Sequence, residues 1–231
     1  MNDDVKWERY GAAAGVIFVV LIVVGALIGG SPPSPDDSVR EIAKYYEDHT
    51  AAIKAGAFLT GLGALAFLWF LGSLWSTLRR SEDTRRLATI ATGGGIVGLI
   101  TAVTAFALNA TVAIAIDSTG ATASVNPKFI YLLSGVVGGM GNFGIAALVI
   151  AVGVASLRTR VFPEALGWAS FVIALGWIVG GLVVVTDSGF PFIVGFITFL
   201  VWLIWVLVIS FFLFRPHEEA APATPAAPST P

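Results

Sequence analysis

The chain has 231 residues, of which 56% are hydrophobic and only 12% charged, with a mean hydropathy of +0.86. A soluble domain carries far more surface charge than this, so the composition is that of an integral membrane protein. A net charge of -2 with no basic stripe excludes a nucleic-acid partner, and the absence of cysteine excludes disulfides, thiolate metal sites and cysteine nucleophiles.

In chain order, a short N-terminal segment over 1–10 precedes six apolar stretches, at about 11–30, 55–78, 87–116, 129–157, 165–186 and 190–214. Each reaches the roughly 20 residues needed to cross a hydrocarbon core. The third and fourth exceed that length and are expected to tilt or to project. None contains Asp, Glu, Lys, Arg or His. The predicted fold is all-α: a polytopic membrane domain over 11–214 with six spans. The first stretch is too long for a signal peptide and is read as a retained helix.

Lysine and arginine set the expected orientation. With the N-terminus inside, the inner side holds Lys6, Arg9, Arg79, Arg80, Arg85, Arg86, Arg158, Arg160 and Arg215, and the outer side only Arg40, Lys44, Lys54 and Lys128. Both termini are therefore expected in the cytoplasm. Trp7, Tyr10, Trp75 and Trp168 then fall at the inner interface, and Tyr45, Tyr46 and Tyr131 at the outer one. The tail over 215–231, rich in Pro, Ala and Thr, is expected to be disordered.

The loop after the first span, "SPPSPDDSVREIAKYYEDHT", is the longest polar stretch before the tail. Its prolines cannot continue a helix. Ser38 and Glu41 then match a capping box and predict a helix over about 39–50, external by the topology above. Val39, Ile42, Tyr46 and Ile53 recur at helical spacing, and a bend is expected between His49 and Gly56. Such a helix would rest its apolar face on the bundle or in the headgroup layer. It either sets the angle of the second span, or forms a cap over an outward-facing cavity or a dock for a partner through Val39, Ile42 and Tyr46. His49 with Asp36, Asp37, Glu47 and Asp48 lacks the spacing of a metal site.

The proline-containing loop followed by "IAKYYEDHTAAIKAGAFLTGLGALAFLWFLGSLWSTLRR" resembles a large group of uncharacterised bacterial six-helix membrane proteins, a domain of unknown function common in actinobacteria. The similarity covers about the first 80 residues in pattern and the rest in topology. It implies a multi-pass protein of the bacterial cytoplasmic membrane and brings no activity or site residues.

Within the spans, glycines recur four apart at Gly25/Gly29, Gly94/Gly98, Gly135/Gly139 and Gly176/Gly180. Such spacing lets helices approach closely, within one chain or between copies. Asn142 lies halfway along the fourth span and Asn109 in the outer part of the third. Trp69, Trp177 and Trp202 fall near the level of Asn142. These aromatics either fill grooves beside glycine-rich neighbours or, with Asn142, line a pocket for a hydrophobic small molecule.

No ionisable group lies in a span, and the chain has only two histidines, both in polar flanks. Proton-coupled transport and intramembrane catalysis are therefore not expected, nor is any cofactor or metal. "STLRRSEDTRRLATIA" and "ASLRTRVFPEALGWAS" echo one another, by duplication of a hairpin or by the shared demands of two turns. Two functions remain. The first is a non-enzymatic accessory or scaffold protein, whose partners are the lipid bilayer, another membrane protein or itself. The second is a small carrier or binding protein for a hydrophobic or neutral solute.

Overall fold

In a computed structural model, residues 3–28, 30, 32–119, 126–186 and 189–214 are described. The helices are α1 (Asp3–Ile28), α2 (Val39–Asp48), α3 (Thr50–Leu78), α4 (Arg85–Thr119), α5 (Pro127–Thr159), α6 (Glu164–Gly181) and α7 (Gly189–Phe214). Single 3-10 turns at Glu82–Thr84 and Leu182–Val184 precede α4 and follow α6. No strand occurs among the described residues. Five helices, α3 to α7, are long and apolar enough to cross a membrane. The expected tail lies outside the described residues, as do the side chains of the first ten.

The long helices form a closed circuit. Chain neighbours from α3 to α7 pack side by side, and α1 fits between α3 and α7 to complete the ring. Its interior is filled by Phe18 and Val19 of α1, Phe67, Phe70, Leu71 and Leu74 of α3, Leu148, Val149 and Val152 of α5, and Trp202, Val206 and Ile209 of α7. Of the five apolar helices, α5 is the most buried and α4 the least.

Backbone contact decides how α4 meets α5. A Cβ added to Gly94 would lie 2.5 Å from the Gly144 carbonyl oxygen, and one added to Gly144 would lie 2.7 Å from the Gly94 carbonyl oxygen. Any side chain at either position would hold the helices apart. The same device recurs between α5 and α6, where Gly153 and Gly167 face one another, and between α6 and α7, where Gly180 meets Gly195. The expected glycine spacings therefore divide. Gly94/Gly98 and Gly176/Gly180 pack inside the chain, whereas Gly135 meets open space and Gly139 packs alone on Val183 and Val184.

The two echoing turns differ in backbone. The first passes through its 3-10 turn, with Thr84 Oγ1 donating to the Leu78 carbonyl. The second places Arg160 in the left-handed region (φ 53°) before Pro163 opens α6.

The close approach of α4 and α5 has a direct test. Gly144→Val should destabilise the bundle by about 1–3 kcal/mol or more, the usual cost of overpacking, whereas Gly135→Ala should leave it unchanged. Thermal unfolding in detergent measures both.

Candidate functional site

The residues expected near the midplane come together only in part. Trp177 and Trp202 are buried and meet edge to face, ring centroids 5.8 Å apart. Trp202 also touches Phe18 at 5.7 Å, Phe67 at 5.8 Å and Phe199 at 6.2 Å. The cluster thus ties α1, α3, α6 and α7 together at one level. Trp69 does not join it: its side chain is 54% exposed on the far side of α3 from Phe67, Phe70 and Leu71. Asn142 is half-buried beside Gly180 and makes no hydrogen bond among the described residues. The expected pocket of Asn142, Trp69, Trp177 and Trp202 is corrected accordingly, because Trp69 faces outward and the two buried tryptophans are packed against other rings. Their indole N–H groups find no oxygen or nitrogen partner among the described residues. Both rings have aromatic neighbours, whose faces accept such donors weakly. Trp205, one turn nearer the arginine-bearing end, instead donates to Ser170 Oγ at 2.9 Å.

The denser constellation lies where α2 crosses the ends of α4 and α5. The chain leaves α1 through Gly30, whose left-handed φ of 67° suits a residue without a side chain, and passes through Pro32, Pro33 and Pro35. Two side chains of α5 fasten this link: Tyr131 OH donates to the Pro33 carbonyl at 2.6 Å, and Lys128 Nζ donates to the Asp37 carbonyl at 2.8 Å. Ser38 then starts α2. Its hydroxyl accepts from Glu41 N at 3.3 Å while its own N–H donates to the Glu41 carboxylate at 2.8 Å, forming the expected capping box. These bonds, the backbone one first, hold the Glu41 carboxyl below its ordinary range.

The inward face of α2 carries Ile42, Ala43 and Tyr46, buried with Val112 and Ala113 of α4 and flanked by Tyr45, Ile53, Ile116, Ile130 and Tyr131. At its centre Tyr46 OH donates to Asn109 Oδ1, and Asn109 Nδ2 donates to the Ala105 carbonyl at 2.8 Å. Both ends of this amide are satisfied. About two turns further along α4, Lys54 Nζ meets Asp117 Oδ2 at 2.5 Å. The bend falls at His49, with φ -117° and ψ 16°. The His49 ring stacks on Tyr45 at 4.7 Å, and Thr50 Oγ1 donates to the Tyr46 carbonyl at 2.7 Å.

This corrects the expected docking face of Val39, Ile42 and Tyr46. Only Val39 is exposed, at 47%; Ile42 and Tyr46 are 0% exposed and occupied by the chain's own α4 and α5. The amphipathic spacing was sound, but the surface it serves is intramolecular. The partners Asn109, Lys54, Asp117 and Lys128 were not anticipated as a set. A signal for them existed: α4 and α5 run past the apolar stretches, and the added turns carry Asp117 and Lys128. Among the described residues no three His, Asp or Glu side chains gather as metal ligands would.

A third feature is an open apolar groove of about 400 Å³ between α6 and α7, lined by Val172, Leu175, Gly176, Val194, Ile197 and Thr198 among others. Comparison of the chain with known protein families, with curated proteins and with solved structures finds no match.

Burial pushes the Tyr46 phenol well above the ordinary tyrosine range, with Tyr131 and Tyr45 adding to it. A raised folded-state value means that the neutral phenol is favoured when α2 is docked. The contribution is complete below the ordinary tyrosine value of about 10 and fades as pH climbs through the raised one. Absorbance titration should show Tyr46 resisting ionisation where an exposed tyrosine ionises. Asn109→Leu should cost about 1–2 kcal/mol through the orphaned phenol, measured by thermal unfolding in detergent.

Proposed function

We propose that this is a multi-pass protein of the bacterial cytoplasmic membrane with six spans, α1 and α3 to α7, both termini cytoplasmic and α2 external. We further infer a non-enzymatic role as an accessory or scaffold protein for membrane partners or lipid. The packed interior carries this reading. Phe18, Phe67, Trp177, Phe199 and Trp202 occupy the midplane, where a carrier needs room for its solute.

The topology is supported on several counts. The 26-residue α1 takes the place of a sixth wall helix between α3 and α7. Arginines gather at the end of the bundle opposite α2, as the excess of cytoplasmic positive charge requires. At about 52 and 50 Å, α4 and α5 exceed a hydrocarbon core of about 30 Å. Their surplus lies at the end that α2 covers.

The second reading, a carrier or binding protein for a hydrophobic or neutral solute, draws on the α6/α7 groove. Because that groove opens sideways, it suits a lipid chain better than a solute crossing the bundle.

Native mass spectrometry after gentle extraction distinguishes the two. A reproducible second polypeptide, or a defined second copy, is the expected result. A lone chain with a bound non-lipid small molecule that is lost in Trp177→Ala would overturn the scaffold reading in favour of the carrier. Because the chain has no cysteine, topology can be read separately with single introduced thiols. Val39→Cys should react with an impermeant reagent in intact cells, and Asp83→Cys only after permeabilisation; the reverse pattern would invert the orientation.

A further inference from the structure

We propose that the arginine-bearing end of α3, α4 and α5 is a binding surface for anionic phospholipid headgroups, contacted by Arg79, Arg86 and Arg158. It rests on the membrane topology proposed above and names a lipid class for the scaffold reading.

The ends of α3 and α5 and the start of α4 lie side by side, because α4 packs against both neighbours and the Glu82–Thr84 turn also touches α5. Six arginines stand there, all exposed: Arg79, Arg80, Arg85, Arg86, Arg158 and Arg160. Among the described side chains the facing acids are fewer, namely Glu82, Asp83 and Glu164. Among the described residues, Arg85 pairs with Glu82 and Arg160 with Glu164 at 3.0 Å. Arg86 and Arg158 make no ion pair among the described residues.

Arg79 is placed differently. Its guanidinium sits over the Trp75 ring, 4.1 Å from the centroid. Trp75 is itself partly exposed near the end of α3, and Trp168 is 65% exposed near the start of α6. Tryptophan side chains exposed at a helix end mark the headgroup level. Stacking therefore holds one guanidinium at the depth of a lipid phosphate, with two uncommitted guanidinium groups on the adjoining helices.

Arginine offers a planar fork that matches phosphate oxygens. Basic clusters between spans on the cytoplasmic side bind anionic headgroups by this chemistry. Opposite charge favours an anionic lipid over a zwitterionic one, and the excess of arginine over carboxylate among the described side chains leaves charge for it to neutralise.

The test uses the full chain in vesicles of equal parts phosphatidylcholine and phosphatidylglycerol, with the retained lipids counted by native mass spectrometry. The wild-type chain should retain phosphatidylglycerol. Arg79→Gln/Arg86→Gln/Arg158→Gln should retain at least about ten-fold less, given roughly one tenfold step or less per cation lost, with phosphatidylcholine unchanged. Arg40→Gln/Lys44→Gln on α2 should behave as wild type.

Undiminished phosphatidylglycerol on the triple variant, or an equal loss from the α2 variant, would overturn the proposal. If circular dichroism shows the triple variant unfolded, the single variants Arg86→Gln and Arg158→Gln decide by the same count. A chain that retains phosphatidylglycerol but brings no partner leaves this surface standing and counts against the protein-partner part of the scaffold reading. A chain that brings a partner without lipid selectivity does the opposite.

Discussion

The rest of the bundle depends on the backbone contact between α4 and α5. Lipid tails are as apolar as leucine, so burial alone gives two helices no reason to prefer one another over the membrane. Close approach does, because it lets dispersion act over many atoms at short range. Gly94 and Gly144 allow it, and Gly98 receives Ile145 from the same helix. The neighbours follow this geometry. Leu71 of α3 packs on Gly95, and Leu157 of α5 packs on Gly167 of α6. Six helices then close around aromatic rings too large for a loose interior.

A consequence appears at the opposite end from the arginines. In the proposed topology α4 in its last turns and α5 in its first extend beyond what a bilayer would cover, with apolar Val112, Ala113 and Ile116 still on α4. In the proposed topology those residues would meet water, and α2 lies over them instead. Its inward Ile42 and Tyr46 remove that surface, and its polar atoms are matched one by one, from the Tyr46–Asn109 hydrogen bond to Lys128 on the Asp37 carbonyl. Buried polar groups are tolerated when satisfied in this way. Arg40, Lys44, Glu47 and Asp48 remain on the outward side.

Much of this was legible in the sequence, and the failures have a common cause. Apolar length revealed the long helices, and Ser38 with Glu41 marked the start of α2. Glycine spacing marked two of the crossings. Rotation about each helix axis was hidden. A soluble helix advertises its buried face by leaving the other face polar, but a membrane helix is apolar all round. Depth counted along the chain placed Trp69, Trp177 and Trp202 at one level and could not show that Trp69 turns outward. On α2, where polar residues do alternate with apolar ones, Ile42, Ala43 and Tyr46 of the face read from the sequence are buried, while Val39 is exposed. The particular partners on α4 and α5 were missed, because stretches that are apolar throughout do not show which of their residues face α2.

The central claim is that the capped ends of α4 and α5 stand outside the hydrocarbon with α2 resting on them. Spin labels on single introduced cysteines, reconstituted in bilayers, test it through their relative accessibility to oxygen and to a water-soluble nickel complex. Labels at Ile96 and Ile100 should lie in hydrocarbon, and labels at Thr111, Ser118 and Val39 in water or among headgroups. Oxygen-rich, nickel-poor surroundings at Thr111 and Val39 would place the cap inside the membrane and contradict the account.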